Sequence, residues 1–400
     1  MLEAKNYEPC FPNYNESILG LSNSILNHYG IKPFHPTLPG ADFLLGKNFP
    51  HVVVILLDGL GMNILEQNLS YRDFLRRNLY SDYSSVFPPT TTASTTTFLS
   101  GLSPIEHGWL GWDVYFEKED KTVCCFKNTL QGTDQIAADY NVANKYLPYK
   151  NIVDLINESG KAKANIIFPF GPDGHPDFDD WINEIQKSIN KEEPTFTYAY
   201  WENPDSALHE LGTKSNTLSK IVREINAKMT YLCEESVDTL FLITADHGHA
   251  DIRNCFLKEE YPQLANMLER PACIEPRALS FYVKKEFKDS FPSEFNKHFG
   301  QDYILFTKEE ALKKELFGPG AANPNLTGIG DYVAAAVSDK TILWNKNDKQ
   351  FKSHHAGLRP EEMRIPLIWY ARKNKRNLIK VLYYSFVAFF VAFILYILVI

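Results

Sequence analysis

The sequence has little positive charge to offer. Its 41 Lys and Arg are outnumbered by 49 Asp and Glu, for a net charge of -8. A protein that grips a phosphate backbone needs a basic footprint, so no nucleic-acid partner is expected. Cys10, Cys124, Cys125, Cys233, Cys255 and Cys273 include no C-x-x-C pair, and free cytosolic thiols are the expectation. The first twenty residues carry acids and prolines where an export signal needs an unbroken apolar core. No internal repeat is evident.

What is present points to a large core. The 400 residues are 44% hydrophobic, enough for one large α/β domain, or a main domain with a smaller insertion. Val381–Ile400 holds no charge and as a helix would span about 30 Å. Arg372, Lys373, Lys375, Arg376 and Lys380 precede it. The expectation is a basic juxtamembrane linker over 371–380 and a single-pass C-terminal tail anchor over 381–400. By the positive-inside tendency, the catalytic domain would then be cytoplasmic.

Several apolar runs end in chemistry. Leu240–Ile243 reads as a buried strand and is followed by Asp246, His247, Gly248 and His249. "HVVVILL" at 51–57 has the same character and ends in Asp58-Gly59. "TFTYAYW" at 195–201 runs into "ENPDSALHELG", where Asp205 and His209 are four apart and share a helical face. A late loop presents His354 and His355 before the apolar strand 365–370. A carboxylate and an imidazole at a strand's C-terminal end are oxygen and nitrogen ligands suited to zinc or manganese. Between Pro89 and Gly101 lies a threonine-rich segment, uncharged, read as an ordered turn into a helix. A hydroxyl at a helix N-terminus lies beside free N–H groups and the positive dipole end, a setting for binding or attacking an anion.

Together these stretches resemble the alkaline phosphatase superfamily, and within it the type I phosphodiesterase/nucleotide pyrophosphatase family. The likeness covers roughly residues 50–370, in motif order. The resemblance implies a three-layer α/β/α fold with a central, mostly parallel sheet over 51–370, after an N-terminal helical and loop segment 1–50, with a small inserted α+β unit at about 255–330. It implies Thr91, in "FPPTTT…GLSPIEHG", as the nucleophile. It further implies that Asp205, His209 and His355 hold one divalent metal ion, and that Asp58, Asp246, His247 and the Thr91 hydroxyl hold a second. Zinc is the first expectation and manganese the alternative. His354 would be a neighbour, and His249 and His107 would stand outside the ligand set.

The activity implied is hydrolysis of a phosphodiester or pyrophosphate through a phosphothreonine at Thr91. The substrate would be a phosphate-containing small molecule or a lipid-linked one. The sequence departs from the family in two places. Trp112 stands near where relatives have an Asn that holds a phosphate oxygen, and the 82–112 block has no arginine. The missing guanidinium favours a diester, pyrophosphate or phosphonate over a dianionic monoester. An inactive, membrane-anchored binding module is the alternative outside enzymology.

Overall fold

The computed structural model describes residues 8–374. The expected span 381–400 and most of the linker 371–380 therefore lie outside the described residues. Among the described residues, no helix is long and apolar enough to cross a membrane.

Six strands form the central sheet: β1 (His51–Leu57), β2 (Leu79–Ser84), β3 (Lys163–Ile167), β4 (Thr195–Trp201), β5 (Thr239–Thr244) and β6 (Arg364–Arg372), in the order β2-β6-β5-β1-β4-β3. The pairs β3–β4, β4–β1 and β1–β5 are parallel. β6 runs antiparallel to both β5 and β2. The sheet is therefore mixed, with one strand reversed against five. Every residue of β1, β4 and β5 is buried, as expected of central strands covered on both faces, where a continuous apolar run replaces alternation.

The helices pack in two groups that each touch the sheet. One joins Ile18–His28, Thr91–Ser100 and Ile152–Ser159; the other joins Met62–Asn68, Phe74–Arg77, Phe178–Ile189 and Asn216–Glu235. The longest of these, Asn216–Glu235, turns Leu218, Val222, Ile225, Met229 and Leu232 inward. That is the three-to-four residue spacing of an amphipathic helix.

A second sheet of seven strands is antiparallel throughout. Cys273–Glu275, Ala278–Phe281, Tyr303–Thr307 and Tyr332–Ala336 supply four of its strands. Asp113–Phe116, Lys121–Cys124 and Thr129–Leu130 supply the other three. The smaller unit thus draws on chain well outside the expected 255–330. The two parts meet where Ile274 pairs with Asp113.

Candidate active site

Three adjacent parallel strands end level with one another. Leu57 of β1 is opposite Trp201 of β4, and Leu56 is opposite Thr244 of β5. Asp58, Asp205 and Asp246 therefore leave the sheet along one carboxyl-terminal edge, where open α/β sheets build their sites. The Asp205 N–H bonds the Asp58 carbonyl at 3.0 Å, and the Gly59 N–H bonds Asp246 Oδ1 at 3.1 Å. Glycine is required at this edge. Gly59 has φ +72°, and a Cβ there would lie 3.0 Å from Asp205 Cα. A Cβ on Gly61 would sit 2.4 Å from Gly248 Cα, so the turns after Asp58 and Asp246 touch backbone to backbone.

The threonine-rich segment forms α2 (Thr91–Ser100), packed against α1 (Ile18–His28). The helix is polar yet buried from Thr92 to Ser100, and the hydroxyls of Ser94, Thr95, Thr97 and Ser100 are bonded within the protein. Thr95 Oγ1 donates to the Thr91 carbonyl at 2.6 Å and Ser100 Oγ to the Thr96 carbonyl at 2.6 Å, while Ser94 Oγ meets Ser85 Oγ at 2.9 Å. Thr91 is the one residue of α2 not fully buried. It occupies the first helical position, where backbone N–H groups have no intrahelical acceptor. Its Oγ1 lies 3.2 Å from Asp58 Oδ2 and 3.2 Å from His247 Nε2.

Asp205 and His209 lie on one short helix, α3 (Asp205–Leu211), with Oδ1 and Nε2 3.5 Å apart. His355 arrives from the far end of the chain. Its ring stacks on that of His247 at 3.8 Å between centroids, and its Nε2 is 3.8 Å from Asp205 Oδ1. His247 Nε2 stands 3.3 Å from Asp58 Oδ1 and 3.5 Å from Asp246 Oδ2. Thr91, Asp58, Asp205, His209, Asp246, His247 and His355 thus share one site, although they are drawn from positions 58 to 355.

The hydrogen-bond directions within this cluster fit a cation. Nδ1 of His209 faces the Ser353 carbonyl at 3.0 Å, that of His355 the Pro89 carbonyl at 3.1 Å, and that of His247 the Gly248 carbonyl at 3.2 Å. A carbonyl only accepts, so each Nδ1 carries a proton, which leaves Nε2 as the nitrogen that can offer a lone pair to an ion. Each Nε2 faces carboxylate oxygens, the arrangement of donors around a cation. Asp246 Oδ2 is buried with no hydrogen-bond partner. Such a site is satisfied by a positive ion between the donors, and the backbone carbonyls behind the imidazoles are the usual supports of metal-binding histidines.

Electrostatics agree. Burial pushes the Asp58 carboxyl well above its usual range, and the charges of Asp246 and Asp205 push the same way, against a hydroxyl donated by Tyr200. Burial also raises Asp246, with His247 opposing. For Asp205, burial pushes upward, but positive charge on the side of His209, His249 and His247 outweighs it and holds the carboxyl below the ordinary value, the part that a metal ion takes where the rings are neutral. Burial drives His355 well down, and neighbouring imidazoles add to this.

Other residues singled out in the sequence resolve into structure or surface. His107 is buried, bonded to Thr97 Oγ1 at 3.0 Å and to the Trp109 N–H at 3.0 Å. Trp109 is core, its indole N–H donating to the Leu147 carbonyl. Trp112 instead is 40% exposed. Arg277 commits its five N–H groups to Glu362, Thr341 and the carbonyls of Lys340 and Ser338, so it is a structural cation. His354 accepts the His355 N–H at Nδ1 and lends its lone pair to the backbone. The residue that sequence reasoning left out is His249, whose Nε2 is 2.6 Å from Asp205 Oδ1. Asp205, His247, His249 and His355 form one group able to share an ion, and Asp58, Asp246 and His247 form the other. The "DHGHAD" string offered the signal, since two residues of extended chain bring His249 back towards the face of His247.

Carboxylates and imidazoles at strand ends, gathered about a helix-start hydroxyl on an α/β sheet, form a candidate metal-binding site beside a potential nucleophile. The chain belongs to the type I phosphodiesterase / nucleotide pyrophosphatase family, whose sequence model matches residues 52–357. It is 25% identical over 187 residues to human ectonucleotide pyrophosphatase/phosphodiesterase family member 5, a match over 44% of this chain. The chain spans 37% of the length of that curated relative. Its fold is similar to the solved human ectonucleotide pyrophosphatase/phosphodiesterase 5, with a TM-score of 0.62 at 18% identity, over 80% of this chain and 89% of that one. It is similar also to an inactive Thr-to-Ala variant of the mouse protein in complex with AMP, with a TM-score of 0.60 at 18% identity, over 81% and 89% of the two chains.

Proposed function

We propose that the chain hydrolyses a phosphodiester or pyrophosphate, with Thr91 as nucleophile and two divalent metal ions held in the carboxylate–imidazole cluster. Asp58, Asp246 and His247, with the Thr91 hydroxyl, would hold one ion; Asp205, His209 and His355 would hold the other. When bound, the pair of ions would supply Lewis-acid stabilisation of charge on the attacking and leaving oxygens. Nitrogen and oxygen donors of this kind accept zinc or manganese.

The observation that carries this reading is the position of one hydroxyl. Thr91 Oγ1 is 3.2 Å from Asp58 Oδ2 and from His247 Nε2, two of the donors that would hold an ion against it. Asp58 and His247 orient that oxygen towards a phosphorus held over the start of α2. The first-turn N–H groups of α2 face the phosphoryl oxygens, and the helix dipole favours their negative charge. Attack by Oγ1 forms the bond from Thr91 to phosphorus as the bond to the first alcohol or phosphate breaks, the hydroxyl proton leaving with that product, and water then cleaves the threonine ester to release the second. With Arg277 fully committed to structure, the site supports a substrate carrying one negative charge at phosphorus better than a dianionic monoester. The AMP seen in the mouse relative supports a nucleotide as one product.

Thr91→Ala tests the assignment. Hydrolysis of the p-nitrophenyl ester of thymidine monophosphate should fall to background while metal content stays near that of the wild type; unchanged turnover would overturn it. We also propose that residues 381–400 tether the enzyme to a membrane with its basic flank cytoplasmic, on the strength of that charge-free run. Truncation at Lys375 should move the protein from the membrane fraction to the soluble one, and a soluble full-length chain would refute the tether.

A further inference from the structure

His249 is completely buried and is held from two sides. Ala250, next to it, pairs with His354 in a two-residue antiparallel ribbon, which brings Ser353 against the imidazole. Ser353 Oγ donates its only proton to the Leu208 carbonyl at 2.7 Å. At 3.1 Å from His249 Nδ1 it can therefore only accept, so Nδ1 carries a proton, and the neutral ring then turns the Nε2 lone pair outward from this contact. That lone pair lies 2.6 Å from Asp205 Oδ1. Two acceptors at this distance repel unless a positive charge, a proton or a metal ion, lies between them.

The same Ser353 also orients a second ring, because its carbonyl accepts Nδ1–H of His209 at 3.0 Å. One residue thus aims the lone pairs of two imidazoles at one carboxylate. The rings of His209 and His249 sit 4.8 Å apart, edge to face, and those of His249 and His355 are 5.1 Å apart.

We propose that His249 is a metal ligand, so that the ion at Asp205 is held by four protein side chains: Asp205, His209, His249 and His355. The inference rests on the two-metal reading above and adds a donor to it. Four protein ligands fill a tetrahedral zinc shell, so contact with a substrate oxygen at that ion would take the expansion to five-coordination that zinc allows. The ion at Asp205 would then be the tighter of the two, held by charged and imidazole donors alone, whereas the shell on the Asp58, Asp246 and His247 side is completed by the more weakly binding Thr91 hydroxyl.

Cobalt(II) titration of the metal-free full-length chain separates the possibilities, read by visible absorption and by bound-metal analysis. The wild type should bind about two equivalents, one tighter than the other. His249→Ala should weaken the tighter equivalent on the order of 100-fold and remove its share of the visible absorption. Ser353→Ala keeps the imidazole but releases its orientation, and should weaken the same equivalent about 10-fold or more. Thermal melts of the metal-free variants report whether they are folded. If folded His249→Ala binds both ions with wild-type affinity and spectrum, or if Ser353→Ala changes nothing, His249 merely bonds Asp205 and the inference fails. If the wild type itself binds no cobalt, the two-metal reading fails along with it.

Discussion

Tyr200 offers a way to weigh the cluster from outside its ligands. Its hydroxyl donates to Asp58 Oδ2 from within β4, and the side chain is buried. Without metal, burial and the neighbouring acids raise the Asp58 carboxyl and so favour its neutral form, the weaker acceptor for the Tyr200 bond. With metal bound, Asp58 is a carboxylate, and the same bond becomes charge-assisted. Hydrogen bonds to charged groups contribute about 1.5–3 kcal/mol against about 1 for neutral ones. Tyr200→Phe should therefore cost the loaded protein about 0.5–2 kcal/mol more than the metal-free one. By linkage, affinity for the ion at Asp58 should fall about 2- to 30-fold, with little change at Asp205. Competition against a chromophoric chelator measures both constants. A change of less than about twofold at both positions would refute the reasoning, because a donor to a metal-binding carboxylate cannot be silent.

Two further predictions concern what surrounds the site. Arg277 and Glu362 are both fully buried, and Glu362 also accepts the N–H of Gly357 just after His355. Arg277→Ala leaves that carboxylate uncompensated and should destabilise the fold by about 3–5 kcal/mol in urea denaturation; a loss within about 0.5 kcal/mol would contradict the pairing as described. Glu275 accepts Thr90 Oγ1 at 2.7 Å and the Trp112 N–H at 2.8 Å. Burial pushes its carboxyl from 4.5 up to about 8, although the Thr90 bond opposes this. An acid raised in the folded state stabilises the fold fully below its unfolded value, and this contribution disappears as pH rises through the folded one. The melting temperature of the metal-free chain should therefore fall between about pH 5 and 8, and Glu275→Gln should flatten that fall. Parallel profiles for the two proteins would rule out the contribution.

The site was legible because chemistry punctuated hydrophobic runs. Asp58 and Asp246 each close a strand with no polar alternation, and such a strand can only be a central one, whose end is where a sheet presents ligands. The helix starting at Thr91 was legible for a similar reason, as an uncharged polar run between apolar flanks. Asn216–Glu235 could also have been read, since its apolar residues recur every three or four positions. The strands Asp113–Phe116 and Lys121–Cys124 could not, being four residues each and completed by Ile274, which lies 161 positions from Asp113. The reversal of β6 was likewise invisible, because an apolar strand reads alike in both directions. His249 was passed over because its partners are Asp205 and Ser353, and only the antiparallel pairing of Ala250 with His354 brings them together. Arg277 was ambiguous for the opposite reason: a buried ion pair and a phosphate contact ask for the same side chain.

The central claim is that the hydroxyl of Thr91, set among these acids and imidazoles, takes the phosphoryl group. Metal-loaded enzyme mixed with the p-nitrophenyl ester of thymidine monophosphate, quenched in acid and mapped by peptide mass spectrometry, tests it most directly. The account predicts a thymidylyl group esterified to Thr91, absent after chelation and absent in Thr91→Ala. Steady release of p-nitrophenol with no adduct on the Thr91 peptide, or with an adduct on another residue, would contradict it.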